Sequence, residues 1–386
     1  MNHFVVSTCG TSFLTNFERR FSANGANAKK NSSGVTLSVA LLSNKKENGL
    51  SKEEKDYLDC LLGSLRAELE SCSVRDATRG SAELNGLLTY YRGDPANGRG
   101  NRHCFVHSDT YVGAECAYMI GQWCERQKWL CELYRVPGLN TADCLSFNAA
   151  MSDLAKWCAE YAAPLRAPRE EVVFNLTGGF KSLQGFMQTL GMFYADETFY
   201  LFESSDALMR IPRLPIDIDA GACDEIEKHF AVYRKLSLGI SVPPEELREI
   251  SGSMIFTDGA SAILSAWGEI FWDKFTQTHY KKQLYPSPIP DIVLTDTFRK
   301  DLERFMGDQH VLFSVNQRLD DLAKYLRSGR KTCPKRLDFK SIAGDLAEKT
   351  GCTHEFYAWS TSGAGRGFCR ILDEGKIQVV CLDVHS

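Results

Sequence analysis

Over the first half of the chain, short apolar runs alternate with longer amphipathic ones. FVVS at 4–7 is continuously apolar, as in a strand buried on both faces, and it ends in the polar turn Thr8-Cys9-Gly10-Thr11-Ser12. Segments at about 50–71 and 76–92 carry apolar residues at helical spacing, as in Leu58, Leu61, Leu62, Leu65 and Leu69. HCFVHSD (103–109) predicts a strand and VGAECAYMIGQWCERQ a helix. CELYRV (131–136) predicts a strand and 145–162 a helix. EVVFNLTG (171–178), FKSLQGFMQTLGMFYA and ETFYLFES (197–204) give strand, helix and strand again, followed by MRIPRLPI. This alternation predicts βαβ units with a mainly parallel sheet, an open Rossmann-like α/β domain over 1–217.

The pattern then changes twice. Residues 222–283 are mainly amphipathic helix, and YPSPIP (285–290) punctuates the chain. A helical linker over 218–290 is therefore expected, with a winged-helix reading open. From Asp291 the order is DIVLTD (strand), TFRKDLERF and VNQRLDDLAKYLRSG (helices), then THEFYAWS, GFCRIL and KIQVVCLDV (strands). The last two are joined by the turn Asp373-Glu374-Gly375. This predicts a small α+β domain over 291–386, with helices on one side of an antiparallel sheet.

Length and charge narrow the picture. A chain of 386 residues with 44% hydrophobic residues builds two or three cores. A net charge of −4 excludes a polycation that coats nucleic acid. One stretch departs from it: RSGRKTCPKRLDFK, Arg327 to Lys340, sets six basic residues against Asp338. Fourteen cysteines occur without a CxxC, which predicts scattered core thiols in a reduced, cytoplasmic protein rather than zinc sites. No apolar window reaches the ~18 residues that suggest a membrane helix, and the first residues start a strand rather than a signal peptide. No metal or cofactor is expected.

In open α/β sheets, ligands bind beyond the carboxyl ends of the strands. Three of those ends are polar and small: Thr8, Gly10, Thr11 and Ser12; Ser108, Asp109 and Thr110; Asn175, Thr177, Gly178 and Gly179. Glycine lets backbone approach a phosphate, helix starts offer unpaired N–H groups, and Lys181 adds a charge. The turn is neither a Walker A loop nor GxGxxG. Arg102 to His107 fits R-x4-H, a ribonuclease signature, but that chemistry needs a helix and this stretch reads as a strand.

STCGTSFLTNF, HSDTYVGAECA, FNLTGGFKSLQGFMQTLGMFYADETFYLFE and IPRLPI, in that order, closely resemble the CARF family of CRISPR-associated proteins. The resemblance implies a homodimer whose paired strand-end loops hold a cyclic oligoadenylate, most often cyclic tetra-adenylate. IVLTDTFRKDLERF and GRGFCRILDEGKIQVVCLDVHS resemble the RelE/YoeB superfamily of ribosome-dependent mRNA interferases. That resemblance implies a phosphate-binding arginine at Arg366 and an acid/base histidine at His385. Arg370 lies four residues on, on the same strand face. Lys340, Lys335 and Arg336 stand loosely where the family keeps basic residues, and Glu355 is a candidate base. Arg330, Lys331, Lys335 and Arg336 would meet ribosomal RNA. Together the two resemblances imply a messenger-activated endoribonuclease that cuts mRNA in the ribosomal A site without metal. A ligand-controlled transcription regulator and a ring nuclease that destroys the messenger are the competing expectations.

Overall fold

The computed structural model describes residues 2–23, 32, 34–140, 143–166, 170–202, 207–214, 220–257, 261–360, 364–372 and 375–384. The chain divides into two compact units, 1–217 and 218–386. The first holds β1 (Asn2–Thr8), α1 (Ser12–Ala23), α2 (Val39–Leu42), α3 (Lys52–Ser71), α4 (Val74–Gly80) and α5 (Ala82–Tyr90). After these come β2 (Arg102–His107), α6 (Tyr111–Arg126), β3 (Leu130–Arg135), α7 (Cys144–Trp157), β4 (Glu170–Asn175), α8 (Lys181–Tyr194), β5 (Glu197–Leu201) and β6 (Leu208–Pro212). The strands form one sheet in the order β3-β2-β1-β4-β5-β6. All neighbours are parallel except β5 and β6. β1 is central, and Phe4, Val5 and Val6 are fully buried, which is why its sequence is apolar without alternation.

The single helix expected over 76–92 is two. Ser81 has extended φ and ψ of −125° and 127°, ends α4 and caps α5 through a hydrogen bond from Leu84 N–H. A serine favours such a junction because its hydroxyl satisfies an orphan N–H at the new helix start.

The second unit holds α9 (Ala220–Lys228), α10 (Phe230–Ser237), the hairpin β7 (Ile255–Thr257) and β8 (Ala262–Leu264), and α11 (Ala266–His279). It continues with β9 (Ile292–Leu294), α12 (Asp296–Glu303), α13 (Gln309–Arg327), β10 (Lys340–Ser341), α14 (Asp345–Thr350), β11 (His354–Trp359), β12 (Gly365–Ile371) and β13 (Ile377–Val384). Its five-stranded sheet runs β10-β11-β12-β13-β9. β9 pairs parallel to β13, so the sheet is mixed rather than antiparallel throughout. Helices α12 and α13 pack on one face, where Phe298, Leu302, Leu319 and Leu322 meet Phe356, Ala358, Cys369 and Val379.

Residues 218–290 are more than a linker. The hairpin was not legible from the helical pattern, and the segment belongs to the same unit as 291–386. Arg234, only 3% exposed, reaches from α10 to Asp320 on α13 (2.7 Å) and to the carbonyl of Pro286 (2.5 Å). Tyr280 donates to the other oxygen of Asp320 (2.7 Å). Asn316 Nδ2 donates to the carbonyls of Tyr280 (3.0 Å) and Gln283 (2.8 Å). Buried polar groups on α13 are thus satisfied by the preceding segment. Among the described residues, no helix is long and apolar enough to cross a membrane.

Candidate functional site

The carboxyl ends of β1, β2 and β4 lie side by side, with Ser7 opposite Asn175 and Thr8 opposite Val106. The turns that leave β1 and β4 touch through backbone. A Cβ on Gly10 would lie 3.0 Å from Gly179 Cα. Gly179 has φ +90°, and a Cβ there would sit 3.0 Å from Thr8 Cβ. Only glycine takes that conformation without strain, so the TGG sequence follows from the close crossing. Thr8 donates to the Gly178 carbonyl (2.5 Å), and so does Gln184 Nε2 (3.0 Å).

One group fastening this junction was not foreseen. Glu83, from α5, is fully buried. Its carboxylate accepts from Gly10 N–H (2.8 Å), from the Ser81 hydroxyl (2.7 Å) and, longer, from the Ser12 hydroxyl (3.5 Å). Its backbone carbonyl accepts from Asn175 Nδ2 (3.2 Å). A Cβ on Gly178 would overlap its side chain. Burial, then the Glu83 carboxylate, pushes the neighbouring Cys9 thiol well above its usual range, so Cys9 stays protonated.

Beyond the junction opens a hollow of about 390 Å³, lined by Gly10, Thr11 and Ser12 of the first strand end, Ser108 of the second and Gly179 and Phe180 of the third. Thr15, Asn16 and Arg19 extend the lining along α1, three, four and seven residues beyond Ser12, so one helical face points into it. Hydroxyls, amides, a guanidinium and backbone N–H groups suit an anionic, hydrogen-bonding ligand. Arg19 is a second residue the sequence reading missed, although the spacing Ser12, Thr15, Asn16, Arg19 was a signal for it.

The expected ligand set therefore separates into three groups. Gly10, Thr11, Ser12, Ser108 and Gly179 line this hollow. Thr177 and Lys181 line a different one on the other side of the turn. Thr8, Asn175, Thr110 and Gly178 are buried fasteners: Asn175 donates to Ser7 Oγ (3.2 Å), and Thr110 caps α6 by accepting from Gly113 N–H (3.2 Å). Asp109 is also a fastener. It accepts from Gly138 N–H (3.0 Å) and pairs with Lys46 (2.6 Å) and, at 3.6 Å, with Arg135. Burial opposes its ionisation, but Lys46, Gly138 and Arg135 outweigh burial and hold its carboxyl below the usual range. Arg102 and His107 both lie in β2, where Arg102 pairs with Glu170 (3.3 Å) and Glu132 (3.6 Å), so the R-x4-H stretch is sheet.

In the second unit, a row of polar residues occupies the sheet face opposite the core. Arg366 on β12 donates to Glu355 Oε1 on β11 and to Tyr357 Oη (3.3 Å), with its guanidinium 4.5 Å from the Tyr357 ring centroid. Lys340 Nζ lies 3.5 Å from Glu355 Oε1 and 2.9 Å from Asp338 Oδ2. Glu355 is buried, and its Oε2 has no hydrogen-bond partner among the described residues, nor has Arg366 Nε. Arg370 is exposed on β12 beside Gly351. Asp383 stands opposite Arg366 in the β12–β13 register. Asp373, Glu374 and His385 lie outside the described residues.

The basic stretch is less free than its sequence suggested. Arg336 is exposed but forks onto the buried Asp321 carboxylate at 2.7 and 2.9 Å. Arg330 donates to the Gly375 carbonyl (2.6 Å) and Arg327 to that of Gly239 (2.9 Å). Lys331 and Lys335 are exposed. Among the described residues, no group of three His, Cys, Asp or Glu is placed to hold a metal ion.

No curated protein matches the chain. Residues 78–214 match the model of a family described as CRISPR-associated protein (Cas_APE2256). The matched stretch carries Glu83, Ser108, the Gly178-Gly179 turn and strands β2 to β6, so this part of the first unit is similar to a family of CRISPR-associated proteins.

Proposed function

We propose that the chain is a ligand-switched endoribonuclease of a CRISPR system. In this reading, two copies of the first unit hold cyclic tetra-adenylate at the strand-end hollows. A two-fold axis suits a ligand built of identical units, because each half offers it the same donors. Binding then activates residues 291–386, which cleave mRNA in the ribosomal A site.

The observation that carries the catalytic half is the Glu355–Arg366 pair. A buried carboxylate with an oxygen partnerless among the described residues stands against a guanidinium with an N–H partnerless among them. RNA cleavage through its own 2′-OH needs such groups. Glu355 takes the 2′-OH proton. Arg366, by its fork, holds the crowded phosphate, and Lys340 adds charge. His385, by resemblance, protonates the leaving 5′-oxygen. The products are a 2′,3′-cyclic phosphate and a 5′-hydroxyl. The CRISPR-associated similarity of residues 78–214 supports the receptor half.

Purified protein would be added to translating ribosomes with and without cyclic tetra-adenylate, and the mRNA mapped by primer extension. Ligand-dependent cuts within ribosome-bound codons are expected. Intact mRNA at saturating ligand would overturn the nuclease reading.

A further inference from the structure

A hollow of about 650 Å³ lies beside the Thr177–Lys181 turn, within the range of roughly 300–1,000 Å³ that holds small organic ligands. Lys181, Gln184, Gly185 and Gln188 of α8 form one wall, at successive helical spacings. Tyr200 and Phe202, from the end of β5 and the residues after it, contribute to the rest, and Phe202 is 49% exposed.

Gly185 is the informative residue. It sits inside α8, where glycine is less favourable than alanine. Among the described residues no neighbour requires it, since a Cβ there would meet none of them within 4 Å. Gly191, on the same helix, is different: its Cβ would lie 2.5 Å from Thr198 Oγ1, so packing explains it. At 185 the missing side chain keeps the hollow open instead.

The lining has a definite chemistry. A glutamine carboxamide offers one acceptor and a donor pair, the pattern that pairs with the N6/N7 edge of adenine. Gln184 Nε2 is already used on the Gly178 carbonyl, which leaves its Oε1 to accept. Exposed aromatic rings stack on bases. The Thr177-Gly178-Gly179 turn separates this hollow from the strand-end hollow, with Gly179 lining one and Thr177 the other.

Resting on the reading of the first unit as a cyclic-oligoadenylate receptor, we infer that this hollow takes one adenine base of the ligand. The base stacks on Phe202 and is read at N6 and N7 by Gln188, with Gln184 Oε1 as a second acceptor. Lys181 faces the adjoining phosphate.

Calorimetric titration of the whole protein with cyclic tetra-adenylate and with cyclic tetra-inosinate, in which oxygen replaces the N6 amino group, tests this. The wild type is expected to prefer adenylate by about tenfold or more. Gln188→Ala should weaken adenylate binding about fivefold or more and erase the preference. Gly185→Trp should fill the hollow and weaken binding at least about tenfold, and Gly185→Ala should melt no lower than wild type. If the wild type binds adenylate and both Gly185→Trp and Gln188→Ala bind it unchanged, the base lies elsewhere; the inference falls and the receptor reading stands. If Gly185→Trp alters only the sedimenting mass, the hollow is a contact between copies, which also overturns it. If the wild type binds neither ring, the receptor reading and the inference fall together.

Discussion

Replacing Arg366 by methionine isolates the Glu355 carboxylate. Glu355 is 5% exposed, and its Oε2 already lacks a hydrogen-bond partner among the described residues. Removing one member of a buried ion pair costs about 3–5 kcal/mol, because the remaining charge stays desolvated. Lys340 lies 3.5 Å from the same carboxylate, but its side chain is 46% exposed and recovers only part of the loss. The expected destabilisation is therefore about 3 kcal/mol. Glu355→Gln strands Arg366 in turn, but the Tyr357 ring and hydroxyl still contact it, so about 1–3 kcal/mol is expected. The double variant removes both charges and should cost less than the sum of the singles, with a coupling of about 2 kcal/mol. Urea unfolding, followed through Trp359 fluorescence beside the sheet core in a background where the other five tryptophans are replaced by phenylalanine, measures all three. Catalysis behaves differently under the proposed mechanism. Each single change should slow cleavage by roughly 10²–10⁴-fold, and the double variant should not recover. A double variant that regains both stability and cleavage would show that the pair only holds the sheet together. An Arg366→Met protein as stable as wild type would refute the buried-charge reasoning itself.

Three further outcomes can be checked. Gly179→Glu places a charged side chain at φ +90°, 3.0 Å from Thr8, and should weaken cyclic tetra-adenylate binding by about 2 kcal/mol, or thirtyfold; equal affinity by calorimetry would exclude this turn from the site. Lys331→Glu with Lys335→Glu should weaken ribosome pelleting in a salt-dependent way, whereas Arg336→Ala should lower the melting temperature by removing the forked partner of Asp321, which then keeps Arg318 at 3.5 Å; the reverse assignment would show that the exposed lysines are only a solvated face. Burial holds His103 neutral, with its pKa lowered to about 4 against 6.5 when unfolded. The unfolded chain then binds the extra proton between those values, so stability present above pH 6.5 is lost as pH falls toward 4, on the order of 3 kcal/mol in all. His103→Phe should flatten that dependence in a pH series of unfolding curves.

What was legible in the sequence is what depends on local pattern. Strands β1 to β5 announce themselves by apolar runs, and Gly10 and Gly179 by their place at strand ends. Glu83 could not be read, because its role depends on α5 packing across residues 92 positions away in sequence, at Asn175. On α5 it looks like any helix-surface glutamate. The ion pair of Arg336 was not legible for the same reason: its carboxylate partner, Asp321, lies fifteen residues earlier on α13, and charge runs do not show their partners. Lys181 was placed with its neighbours Gly178 and Gly179, but a turn of one helix start is enough to point it into the adjacent hollow. β10 and the β7–β8 hairpin are two or three residues long, too short to show a period.

The anchoring of Arg234 and Tyr280 on Asp320 decides how force can travel. A segment that shares a buried salt bridge and further hydrogen bonds with α13 cannot slacken like a tether. Any push on α10 is passed to α13, and from there to the sheet carrying Arg366, as through a lever. A piece starting at residue 291 would not be a smaller self-sufficient unit. It would leave Asp320 and Asn316 without the groups that neutralise and satisfy them, so the shortest self-sufficient unit begins near 220.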